Sequence, residues 1–76
     1  MKKPVTVELT GDEALVLFEW IKRFNAQDHN DFEDQAEARV LWDIEAMLEK
    51  TLVEPFDPEY DRLLAAARAT VRDSVD

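Results

Sequence analysis

The chain has 76 residues, 46% of them hydrophobic, with 18 acidic and 9 basic side chains and a formal net charge of -9. So short a chain holds one domain with one core and no deep catalytic cleft. Ordering it costs roughly 1.5 kcal/mol per residue, which leaves little net stability without a further source of burial. The absence of cysteine excludes disulfides, zinc–thiolate sites, iron–sulfur clusters and thiol nucleophiles. The negative field opposes contact with a phosphate backbone, so no nucleic-acid partner is expected.

The N-terminal Lys2, Lys3 and Pro4 are followed by a run too short and too polar for a signal peptide. No window approaches the ~18 apolar residues that span a bilayer. A soluble, cytoplasmic protein without a membrane partner is expected. Residues 5–10 alternate, with Val5, Val7 and Leu9 on one side and Thr6, Glu8 and Thr10 on the other, which predicts a short strand. A lone strand leaves its backbone without a ladder, so it must pair with a second copy, lie over the helices as an extended arm, or fray.

A helix over about 11–25 is predicted next, opened by a Thr10-x-x-Glu13 capping box. Val16, Trp20, Phe24, Leu17, Ile21, Ala14 and Phe18 cover an arc of roughly 200°, about twice the stripe of an ordinary surface helix, which implies burial on two sides. Asp12, Glu19, Lys22 and Arg23 hold the solvent face, with Glu19 and Arg23 in favourable i,i+4 order. After a polar loop, Asn30 and Glu33 form a weaker capping signature, and a second helix is predicted over about 31–52. Its apolar arc holds Ala36, Met47, Val40, Ile44, Leu48, Leu41 and Leu52, and Trp42 projects almost opposite. Asp57 and Pro58 supply the N-cap and first-turn proline of a third helix over about 58–73. That helix is one-sided, with Tyr60, Leu63, Leu64, Ala67, Val71 and Val75 inward and Arg62, Arg68 and Arg72 outward.

These elements predict a mainly α fold, a single compact three-helix domain over 1–76 with a short N-terminal β-strand. Its apolar surface exceeds what one copy can bury. A homodimer follows, with Val5, Val7, Leu9, Val16 and Trp20 at the interface; a closed monomeric bundle is the alternative.

Catalytic chemistry has little to work with. The only histidine is His29, in a loop, and the only serine is Ser74, near the end of the chain. With Gly11 as the only glycine there is no phosphate-cradling loop. Glu33 and Glu37, i,i+4 on the second helix, fall within its apolar arc and could join His29 in a weak carboxylate metal site. The plainer reading is that they are solvated acids favouring the helix start, or that they pair with Arg62, Arg68 or Lys22. The di-iron bundle signature needs Glu-x-x-His motifs that this chain lacks.

Asp28, Asp31, Glu33, Asp34 and Glu37 form an acidic run that reads as a solvated helix start or as a docking face for a basic protein. Trp42, flanked by Ala38, Glu45, Ala46 and Glu49, is the best single binding residue, whether it meets an external partner or is covered by the arm or a dimer mate. A strand followed by helices also suggests ribbon-helix-helix repressors. Thr6, Glu8 and Thr10 would then face DNA without one basic side chain, which rejects that reading.

Three blocks carry a resemblance: LTGDEALVLFEW from Leu9 to Trp20, FEDQAEARVLWDIEAMLEKTL from Phe32 to Leu52, and VEPFDPEYDRLLAAAR from Val53 to Arg68. Together they resemble a family of short uncharacterised bacterial proteins, many actinobacterial, with the pattern LTxxEALVLFEWL…FEDQAE…VLWxLEAxLEKxLVEPFxPxYxxLL. The resemblance implies a small, mostly helical bacterial protein and brings no activity with it.

The expectation is a non-enzymatic interaction or regulatory module that works as a homodimer without a cofactor. Its partner-binding residues would be Trp42, Ala38, Ala46, Glu33 and Asp34. The alternatives are an acidic, antitoxin-like inhibitor of a basic protein and a weak metal-binding protein.

Overall fold

The computed structural model describes residues 2–27 and 32–73. Three α-helices, α1 (Gly11–Ala26), α2 (Gln35–Thr51) and α3 (Tyr60–Arg72), follow one another, with a 3-10 turn at Glu54–Phe56 between the last two. The mainly α class is therefore correct.

Helix α1 begins where its capping box places it. The Glu13 backbone N–H donates to Thr10 Oγ1 at 3.1 Å, and the Thr10 N–H donates to Glu13 Oε1 at 2.9 Å, so two orphan donors of the first turn are satisfied. Helix α2 starts four residues later than its sequence suggests. Asp34 is its cap, accepting from the Ala36 N–H at 2.8 Å, and the expected cap Asn30 lies outside the described residues. Helix α3 starts at Tyr60 rather than 58, because Asp57 closes a turn of its own by accepting from the Glu59 N–H at 2.8 Å.

The core is a cluster of Leu15, Phe18, Leu52, Leu64 and Ala67, with Ile21 also buried. Helix α1 packs against both α2 and α3, while α2 and α3 scarcely meet. The burial of α1 on two sides expected from its sequence is not seen: its buried residues Leu15, Phe18 and Ile21 share one face, and that face meets residues of both neighbours in one cluster. The rotation of α1 differs from the sequence expectation. Leu15, left out of the expected apolar arc, is 3% exposed, whereas Trp20 within it is 43% exposed. Leu15, Phe18 and Ile21 recur every third residue and form the buried side. On α3, Leu64 and Ala67 are buried and Tyr60 packs on the cluster. The small Ala67 side chain lets α3 approach α1 closely.

Glu19 does not pair with Arg23. Its carboxylate accepts the Tyr60 hydroxyl at 2.7 Å and lies 3.9 Å from Lys22 Nζ, and the Lys22 ammonium stands 5.8 Å from the Tyr60 ring centroid. Arg62 pairs with Glu59, so neither Lys22 nor Arg62 serves the acids of α2. Between α1 and α2, Asn25 Nδ2 donates to Glu45 Oε1 at 2.7 Å.

Residues 2–9 form no strand, and no strand occurs among the described residues. The alternation survives only in that Val5, Val7 and Leu9 line one groove, and a single chain offers this arm no ladder partner.

Candidate interaction surface

Helix α2 has no buried residue along its length, although its sequence carries a full apolar arc. Val40 is 55% and Met47 61% exposed; Ile44, Leu48 and Leu41 are half-buried, Leu48 packs against the core cluster, and the C-cap Leu52 is buried in it. The apolar face of α2 is thus only partly covered, because α1 packs on it and α3 meets α2 scarcely at all.

The N-terminal arm runs beside that uncovered face. Val5, Val7 and Leu9 line one wall of a groove of about 400 Å³, and Leu17, Ile44, Met47 and Leu48 line the other. All seven side chains are apolar. The arm stands off the helices, for Val5 and Val7 remain 87% and 73% exposed. Among the described residues, no hydrogen bond involves the backbone of residues 5–9. Of the expected dimer residues, Val5, Val7 and Leu9 therefore sit together on this groove. Val16 does not join them: it packs against the core cluster of its own chain.

Trp20 belongs to a different feature. Its ring stacks on Phe24 at 5.0 Å and 27°, and Phe24 meets Phe32 edge-on at 5.7 Å and 77°. Phe32 in turn lines a concavity of about 370 Å³ with Gln35, Ala38, Arg39 and Trp42. An aromatic strip therefore runs from the second half of α1 across to the outer side of α2. Trp42 is 53% exposed and the arm lies elsewhere, so the arm does not cover it. Ala38 lines this concavity, whereas Ala46 is exposed and outside it. Arg39 makes no hydrogen bond or ion pair among the described residues, so its guanidinium is available beside the indole.

The acidic start of α2 is different in kind from the inward-facing pair the helical wheel implies. Glu33 and Glu37 are both exposed: the chain at Glu33 has not yet entered the helix, and Glu37 lies in a first turn that buries no residue. Glu37 Oε1 accepts the Glu33 backbone N–H at 3.0 Å, beside the Asp34 cap. These carboxylates do the local work of starting a helix. His29 lies outside the described residues, as does Ser74, and no metal-ligating cluster occurs among the described ones.

Comparison with protein-family models, curated proteins and solved structures finds no match to this chain. The surfaces must therefore be read from their own chemistry.

Among the described residues, Tyr60 is the one group with a clearly displaced pKa. Burial raises it first, and the hydrogen bond to the Glu19 carboxylate and its charge raise it further. The phenol is neutral and donates to Glu19, a tether between α1 and α3 rather than an acid–base pair.

Sequence reasoning missed Phe24 and Phe32 as surface partners of the tryptophans, and Arg39 as the cation beside Trp42. The i,i+3 spacing of Arg39 and Trp42 was visible in the chain. The passage of the aromatic strip from one helix to the next was not, since it depends on how α1 and α2 cross.

Proposed function

We propose that this protein is a non-enzymatic interaction module that acts as a homodimer. The observation that carries this reading is the groove between the arm, α1 and α2, whose lining is wholly apolar in a chain of net charge -9. Leaving Val5, Val7, Val40 and Met47 in water forfeits burial worth roughly 1.5–3 kcal/mol for each fully covered side chain, and a domain of this size has little stability to spare. A second copy supplies that cover, and it joins the two arms as strands.

The aromatic strip then remains on the outside of the pair as the surface for a further partner. Trp42, Phe32 and Ala38 offer it an apolar wall, and Gln35 and Arg39 offer donors. That composition suits a protein segment presenting an apolar side chain next to a carboxylate. The absence of a thiol and the single histidine and serine support a binding role over a catalytic one. No helix of the described chain is long and apolar enough to cross a membrane.

Light scattering at tens of micromolar tests the assembly. A mass twice the 8.8 kDa of one chain is expected, and a single 8.8 kDa species would overturn the reading. Capture from lysate by the wild type, but not by Trp42→Ala of equal stability, tests the outer surface.

A further inference from the structure

We infer that two copies join through a two-stranded antiparallel ribbon of their N-terminal arms, in the register that sets Val7 opposite Val7 of the second copy. The inference rests on the homodimer proposed above and states how it is built. Three independent features of the arm converge on it.

The first is the backbone. The run in which every residue keeps both a free donor and a free acceptor is residues 5–9: Pro4 interrupts it on one side and the cap of α1 ends it on the other. Pro4 has no N–H to give, while the Thr10 N–H is donated to Glu13 and the Thr10 carbonyl accepts from Ala14 at 2.9 Å. Five residues with free donors and acceptors have their midpoint at Val7. A two-fold antiparallel pairing over the whole of that run is therefore centred there, with Val5 opposite Leu9 and Thr6 opposite Glu8, alternate residues exchanging the ladder hydrogen bonds.

The second is the side-chain period. In that register Val5, Val7 and Leu9 of both copies lie on one face of the ribbon, and Thr6 and Glu8 lie on the other. The apolar face is the one already turned towards Leu17, Ile44, Met47 and Leu48. Each arm stays over its own groove, and the ribbon joins the two grooves into one apolar layer.

The third is charge. Antiparallel pairing carries Lys2 and Lys3 of one copy to the first turn of the other copy's α1, where the Asp12 carboxylate has no partner among the described residues. A parallel pairing would instead set lysine against lysine and Glu8 against Glu8, which is unfavourable.

The chain has no cysteine, so single cysteines report the register directly. Under mild oxidant, Val7→Cys is expected to form a disulfide-linked dimer, since facing strand residues lie about 4.5–5.5 Å apart between Cα atoms. Val5→Cys alone and Leu9→Cys alone are expected to stay unlinked, because each sits four positions from its own copy, roughly 13 Å along the strands. An equal mixture of Val5→Cys and Leu9→Cys should link. Self-linking of all three single variants would overturn the antiparallel register in favour of a parallel one. A dimer by light scattering whose Val7→Cys variant links no faster than Val5→Cys would overturn the ribbon while leaving the homodimer intact. A monomer would overturn both. Val7→Pro, which removes the central N–H from a segment outside every helix, should abolish the dimer with helical circular dichroism unchanged.

Discussion

The Tyr60 hydroxyl donates a 2.7 Å hydrogen bond to Glu19 Oε1, joining residues 41 positions apart and holding α3 against α1. This bond is charge-assisted and half-buried, and Lys22 stands beside both members. Tyr60→Phe keeps the ring and removes the bond, and should cost about 1 kcal/mol in urea unfolding.

The same bond predicts an alkaline limit. Tyr60 has its pKa raised above the ordinary 10.0, so the fold holds the phenolic proton more tightly than the unfolded chain does. The resulting stabilisation is fully present below about pH 10 and is lost as the pH climbs through the folded-state value. Tyr60 is the only tyrosine, so tyrosinate absorbance reports it alone. The folded protein should show little tyrosinate near pH 10, and the steep alkaline fall in Tm should flatten in Tyr60→Phe.

Core and surface aromatics should separate cleanly. Phe18, 2% exposed, sits in the core cluster, and Phe18→Ala is expected to cost about 3–5 kcal/mol, enough to unfold a domain this small. Trp42→Ala should change thermal stability by less than about 0.5 kcal/mol and act on partner capture alone. A large drop in Tm for Trp42→Ala would place the indole inside the structure.

The acids at the head of α2 should behave as caps. Asp34→Ala is expected to lose about 1 kcal/mol, and Glu37→Ala less, both read by thermal melts. Manganese, iron or zinc should leave Tm unchanged in the wild type and in Glu33→Ala/Glu37→Ala. A metal-dependent rise in Tm that disappears in the double variant would restore the metal-site reading.

Asn25 and Glu45 should show coupling. Their 2.7 Å bond spans α1 and α2 in a half-buried setting, and a double-mutant cycle with alanine at each is expected to give about 1 kcal/mol of interaction energy. Additive losses would mean that the bond contributes nothing beyond packing.

By itself the sequence determined what depends on neighbours along the chain: three helices, the Thr10–Glu13 cap, the alternation of Val5, Val7 and Leu9, and an excess of apolar surface. Those features rest on periodicity and on hydrogen bonds spanning three or four residues. Tertiary structure alone decided which side of α1 is the core, because Leu15 and Trp20 compete for burial and only the cluster that α2 and α3 build with Leu15 and Phe18 settles it. It also decided that Glu33 and Glu37 face water. A helical wheel assumes the helix has begun, and Asp34 begins it one residue after Glu33. The partners of Glu19, Asn25 and Phe32 belong to the same class: each lies on another element, and the distance between elements is set by packing that no local pattern encodes.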